Sequence, residues 1–165
     1  MHDVRLRLTN DARFAGWEHL FPERNPRWRH ASLPPAGDAG PGDLTLMATP
    51  IGLRRGHSAA GPIALWVVLT NPPPDKEGAY NEWYDGRHVA DTLAIPAFVT
   101  ARRYKIDAIT GPDDARWSYL ALYEIELAAA ADALAEAAAR AGGPLMPNPG
   151  MLAPGTAALP FRPMA

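Results

Sequence analysis

Residues 62–70 read PIALWVVLT, residues 77–98 read EGAYNEWYDGRHVADTLAIPAF and residues 117–127 read WSYLALYEIEL; their order decides the fold. The first is short, apolar and β-branched, the pattern of a strand buried on both faces. Asn71 and three prolines stop it, because proline has no N–H to give a ladder. Asp75 is placed to cap a helix from about Lys76 to Leu93, with Glu77 in its first turn. Pro96 ends that helix by pushing Ile95 out of the helical region. Residues 97–106 (AFVTARRYKI) follow as a second strand, and Gly111-Pro112-Asp113-Asp114 as a turn. In the third strand, 117–127, Tyr119, Ala121, Tyr123 and Ile125 share one face; Leu120, Leu122, Glu124 and Glu126 share the other. Residues 128–141 are a strong helix former, stopped by Gly142-Gly143-Pro144, and residues 156–162 are a last strand.

Strand, helix, strand, strand, helix, strand is the order of a ferredoxin-like α+β sandwich, an antiparallel sheet with two helices on one face. The other face is open and apolar and calls for a partner. The expected organisation is one such domain over residues 61–165, behind an irregular, proline-rich extension over residues 1–60. That extension holds two strand candidates, 4–8 and 44–51, with Trp17 and Trp28 between them. It is read as a degenerate half-repeat, an extra edge pair or a partner-binding arm.

Composition supports this map and excludes several classes. Leu, Ile, Val and Phe number only 32 of 165 residues, but 16 of them and all five tyrosines lie within 62–127, enough to concentrate a core there. With no cysteine there is no disulfide, thiolate metal site or cysteine nucleophile. No apolar run reaches membrane-spanning length, and the first residues lack the apolar core of a secretory signal. A net charge of −2 gives no general pull toward nucleic acid. Arg24–His30 (RNPRWRH) has basic residues around Trp28, as nucleic-acid sites do, yet it is short and reads better as a salt-bridged arm. A soluble cytoplasmic protein, with no nucleic-acid or membrane partner, is expected.

The helix over 76–93 carries the chemical signal. At 100° per residue, Ala79, Trp83, Gly86, Ala90, Leu93 and Ala94 form its apolar stripe. Tyr80, Tyr84, Arg87 and Asp91 run along one border, with His88 just beyond it. His88 is the only histidine in residues 62–142. Asp91 (i+3) and Tyr84 (i−4) are within its reach, and a histidine with a carboxylate and a phenol is an acid/base set for neutral pH. The series Glu82, Asp85, His88, Asp91 winds around the helix, so at most two of its members suit one ion, and no metal site is expected. Nucleophile-elbow, phosphate-loop and metalloprotease motifs are absent.

The stretch Asn81–Asp91 (NEWYDGRHVAD), with Leu93–Phe98 (LAIPAF) and Tyr119–Glu124 (YLALYE), resembles the dimeric α/β-barrel superfamily, closest to its EthD-like branch with a W-Y-D-x-x-H-x-P-D helix motif. The resemblance covers residues 62–127, more loosely to 165, and not residues 1–60. Ala90 stands where the branch commonly has proline and Ala97 where it has glycine. It implies a homodimer whose open sheets pair into a barrel, each protomer with a pocket between sheet and helices. It also implies a range of activities, from cofactor-free monooxygenases, cyclases and isomerases to lactone-forming and haem-dependent enzymes.

The expected function is cofactor-free proton-transfer chemistry, of isomerase, cyclase or lyase type, on a ring-like or unsaturated organic acid or ketone. His88 moves the proton, Asp91 orients it and stabilises its charged form, and Tyr84 or Tyr80 stabilises the enolate oxygen; Tyr80, Trp83 and Arg87 contact substrate. The alternatives are a non-catalytic dimeric module that binds a ligand or stabilises a partner, a cofactor-free monooxygenase, and a haem protein with His88 as ligand.

Overall fold

The computed structural model describes residues 3–165. Eight strands form one closed antiparallel barrel: β1 (Val4–Thr9), β2 (Trp17–His19), β3 (His30–Ser32), β4 (Leu44–Gly56), β5 (Ile63–Thr70), β6 (Phe98–Thr110), β7 (Tyr119–Glu126) and β8 (Ala157–Pro163). Around the barrel they run β1-β3-β2-β8-β5-β7-β6-β4, and β4 returns to β1. A helical segment between β5 and β6 comprises α1 (Glu77–Trp83), a wide turn over Tyr84–His88 and α2 (Val89–Leu93); α3 (Ala130–Arg140) lies between β7 and β8. Among the described residues no helix is long and apolar enough to cross a membrane.

The side-chain alternation of each strand separates two cores. Leu65, Val67, Leu69, Leu120, Leu122, Leu159 and Phe161 fill the barrel with Leu6, Leu8, Leu44 and Leu46. Their neighbours Ala64, Val68, Tyr119, Ala121, Tyr123 and Ile125 face outward and pack under the helices. The expected two faces of β7 are therefore both real; the inner one is apolar at Leu120 and Leu122 and turns polar at Glu124 and Glu126.

The open sheet face expected to await a second copy does not exist. Residues 4–56, expected to be irregular, supply four strands that close the sheet within one chain. The strand candidates 4–8 and 44–51 are in place as β1 and β4. β1 and β4 alternate apolar-in and polar-out: Leu6 and Leu8 point inward while Arg5 and Arg7 point outward. A sheet face of that pattern stands in water without a helix over it; only the far end of β4, at Ile51 and Arg55, meets the helical segment at Asp85 and Val89. Arg7 instead crosses its own sheet, donating to the carbonyls of Ala36 (2.9 Å) and Gly37 (3.1 Å). Within the stretch that resembled a nucleic-acid site, Arg27 and Trp28 are engaged internally. Trp28 is buried in the barrel and donates to the Gly42 carbonyl (2.9 Å), and Arg27 forks onto Asp114 (3.0 and 2.7 Å).

The helix between β5 and β6 corrects two further expectations. Asp75 has φ 61° and makes no cap; the helix begins at Glu77 with no side-chain hydrogen bond at its N-terminus. The buried face is also not the counted stripe: Ala79, Gly86, Ala90 and Ala94 are exposed, whereas Tyr80, Tyr84, Val89 and Thr92 are buried. Small residues satisfy a periodicity count but bury little area, so the large tyrosines decide which side faces the sheet.

Candidate active site

The wide turn at Tyr84–His88 inserts one residue into the helical register. The amide of Val89 donates to the Tyr84 carbonyl, five residues back, in place of the usual four. The extra residue lets Tyr84, His88, Val89 and Thr92 all face the sheet. The Thr92 hydroxyl bonds the His88 carbonyl (2.9 Å), which ties α2 to the turn.

Beneath this segment lies a cavity of about 360 Å³ between the outer face of the sheet and the helices. Its floor crosses four neighbouring strands: Tyr123 on β7, Trp66 and Val68 on β5, Ala158 and Pro160 on β8, and Phe21 just past the end of β2. Tyr84, His88 and Thr92 form one wall, and Leu134 and Ala137 of α3 form another.

His88 is half-buried, with its ring stacked on Trp83 (centroids 4.5 Å apart, planes 25° apart) and edge-on to Tyr84 (4.9 Å). Burial pulls its pKa down from 6.5 to about 4, against the opposing charge of Asp91 and with a small contribution from Arg103. At neutral pH the imidazole is therefore uncharged. Its Nδ1 is buried and has no hydrogen-bond partner. The hydroxyl of Tyr123, which also lines the cavity, is likewise buried, beside the hydroxyls of Tyr84 and Thr92. Burial raises the pKa of Tyr123 and sends that of Tyr84 well above its ordinary value, so both phenols keep their protons.

The remaining expected site residues divide. Asp91 does not hold His88; it is paired with Arg87 (2.9 Å), four residues before it. Arg87 is exposed and outside the cavity lining. Trp83 acts from behind His88, its indole N–H fixed to the Pro147 carbonyl (3.1 Å). Tyr80 is fully buried, bonds Thr70 Oγ1 (2.5 Å) and does not line the cavity. The Glu82, Asp85, His88, Asp91 series does not converge: among the described residues no three His, Asp or Glu side chains are grouped to hold a metal.

Sequence reasoning missed Arg103. It is buried (3% exposed) and its guanidinium sits 4.2 Å from the Tyr84 ring centroid. Its two terminal nitrogens donate to Asp85 Oδ1 (2.8 Å) and Asn81 Oδ1 (2.9 Å). It thus fixes the helix to β6 on the side away from the cavity. Nothing in the AFVTARRYKI run distinguishes it from Arg102 except the alternation of faces, which places it under the helix. Tyr123 was legible by the same alternation. Phe21 and Arg24 were not, because they reach the cavity only through the pairing of β2 with β8.

No known protein family matches the chain by sequence, and no curated protein matches it. Among solved structures, one from Fusobacterium nucleatum subsp. nucleatum named "Putative monooxygenase" is similar in shape, with a TM-score of 0.46 and 8% sequence identity over 99% of this chain and 77% of that one.

Proposed function

We propose that the chain is a small-molecule enzyme and that the cavity under the helical segment is its active site, with His88 as the proton-transfer group. One observation carries this reading: a single apolar cavity is lined by a histidine that burial keeps neutral, His88, and by two tyrosines that burial keeps protonated, Tyr84 and Tyr123. Apolar walls with a few convergent polar groups are the common form of a ligand site.

The chemistry is enolisation of a ring-like or unsaturated organic acid or ketone. The neutral imidazole takes a proton from the carbon beside a carbonyl: the C–H bond breaks, an N–H bond forms, and the electron pair moves onto the carbonyl oxygen. Tyr123 and Tyr84, both protonated, donate hydrogen bonds to that oxygen as its charge develops. The enolate beside His88 stabilises the imidazolium until the proton returns to a second carbon, which completes an isomerisation; in a cyclisation the enolate carbon instead attacks a second carbonyl of the same substrate, that carbonyl's π bond breaks, and its oxygen takes the proton from the imidazolium. Trp83 keeps the imidazole oriented by stacking. No cofactor enters this scheme. Oxygen insertion by a cofactor-free route starts from the same enolate and needs a substrate able to reduce oxygen itself.

The resemblance of Asn81–Asp91 to the EthD-like branch of the dimeric α/β-barrel superfamily supports the reading. So does the strand order. Residues 63–163 run β8-β5-β7-β6, a ferredoxin-like order, and residues 4–56 run β4-β1-β3-β2, the same order by position. We read the first half as a degenerate repeat that has lost its helices and stands in for the second protomer of a homodimer.

The test is proton exchange in deuterated buffer across unsaturated acids and ketones, followed by NMR. Exchange by the wild type, reduced at least about 100-fold in His88→Ala, is the expected result. Ligand binding without exchange in the wild type leaves a ligand-binding module and removes the enzyme.

A further inference from the structure

The cavity holds one formal charge that the proposed proton transfer does not use. Arg24 closes the short helical turn Pro22–Arg24 and lines the cavity beyond the end of β2. Its guanidinium lies over the Phe21 ring, 3.9 Å from the centroid, and Phe21 lines the same cavity. It is the only Lys, Arg, Asp or Glu among the lining residues. Among the described residues none of the ion pairs uses it, although six other arginines are so engaged. A guanidinium held over a ring, beside an apolar cavity and without a carboxylate of its own, has its fork free for an anion.

The strand order gives the distance. Tyr123 is on β7, and β5, β8 and β2 follow it in turn. Three inter-strand spacings, roughly 14 Å along the curved sheet, separate Tyr123 from β2, and Arg24 follows β2 by five residues. Trp66, Val68, Ala158 and Pro160 line the span between them.

We propose that Arg24 is the carboxylate-binding residue of this cavity and that the natural ligand is an elongated, mostly apolar monocarboxylic acid. Its carboxylate sits on Arg24 at the mouth, its hydrocarbon or ring body lies along Trp66 and Val68, and its second polar group, a carbonyl or hydroxyl, reaches His88 and Tyr123. This rests on the cavity being the ligand site and narrows the substrate from acids or ketones to acids. It also gives the helix-free N-terminal half a role: that half supplies the charge that selects the ligand.

The experiment pairs each member of a series of aryl- and alkenyl-alkanoic acids carrying a distal ketone with its own primary amide. Binding to the full chain is measured by calorimetry, so the readout is independent of turnover. The wild type is expected to bind the best acid about tenfold or more tightly than its amide, as a charge-assisted bidentate bond implies. Arg24→Gln is expected to abolish that preference by weakening the acid far more than the amide, and Arg24→Lys to restore part of it. Arg24 is exposed, and a melting curve for each variant confirms folding. An amide bound as well as its acid by the wild type, a preference that survives Arg24→Gln, or no binding by any acid overturns the proposal. Acids that bind through Arg24 but show no proton exchange leave the carboxylate site standing and remove the enzymatic reading instead.

Discussion

The imidazole of His88 lies against the indole of Trp83, ring centroids 4.5 Å apart and planes 25° apart, so the helix that carries the histidine also closes one face of it. The ring is held neutral there, and this has a consequence for stability. In the unfolded chain His88 titrates near 6.5 and in the folded chain near 4. Between those values the unfolded state binds a proton that the folded state does not. His88 therefore lowers stability as pH falls from 6.5 toward 4, and its full contribution is present above 6.5. The whole shift corresponds to roughly 3 kcal/mol. Urea unfolding at pH 7.5 and pH 4.5 tests this against His88→Phe, which keeps a ring on Trp83 and cannot titrate. The wild type is expected to lose about 2 kcal/mol more than the variant between the two values; equal losses contradict it.

Tyr123 separates function from stability. Its hydroxyl is buried beside those of Tyr84 and Thr92, while the ring packs against Trp66 (5.5 Å) and Phe98 (5.9 Å). Tyr123→Phe keeps the ring and removes the hydroxyl. Stability is expected to change by no more than about 1 kcal/mol, and proton exchange to fall about 10- to 100-fold through loss of an oxyanion donor. Exchange unchanged in a folded Tyr123→Phe variant withdraws the hydroxyl from the site.

The central strands and the two helical regions were legible because they follow from local pattern, and a pocket near His88 was legible only through the resemblance. β5 and β7 announce themselves by apolar runs, and the motif around Trp83–Asp91 carries the resemblance. What was not legible depends on long-range pairing. The Pro-rich segment from Asn10 to Asp43 hides β2 and β3, three residues each, which are strands only because β8 and β1 offer them edges. The polar outer face of β1, Arg5 and Arg7, was visible as alternation, but not that its inner face would fill the barrel. The wide turn at Tyr84–His88 shifts the register by one residue, and a fixed 100° count cannot anticipate it.

Arg103 is the group on which the helix orientation depends. Its fork onto Asp85 and Asn81 and its place above Tyr84 need both planarity and charge. Arg103→Lys keeps the charge but reaches one acceptor at most, and is expected to cost about 1–2 kcal/mol. Arg103→Ala also opens a void beneath the tyrosines and is expected to cost about 3–5 kcal/mol. Chemical denaturation ranks the two. A Lys variant as damaging as Ala would show that the fork geometry, not the filled space, sets the helix.

Closure of the barrel within one chain makes the N-terminal half indispensable to the C-terminal half. Without residues 1–60, β6 and β8 become free edges, because β4 and β2 no longer pair with them. The inner-face side chains Leu65, Val67, Leu69, Leu120, Leu122 and Phe161 lose their cover of Leu6, Leu8, Leu44 and Leu46. Each large apolar side chain so exposed costs about 1.5–3 kcal/mol, and an unpaired edge beside an apolar face templates association. A chain of residues 61–165 is therefore expected to self-associate, as a dimer or larger species in light scattering, at concentrations where the full chain does not. Adding residues 1–60 as a separate peptide is expected to shift it back toward the smaller complex by refilling the same edges. A soluble, folded monomer of residues 61–165 alone would show that the face inside the barrel is stable in water, and that closure by β1 to β4 is not what holds the second half together.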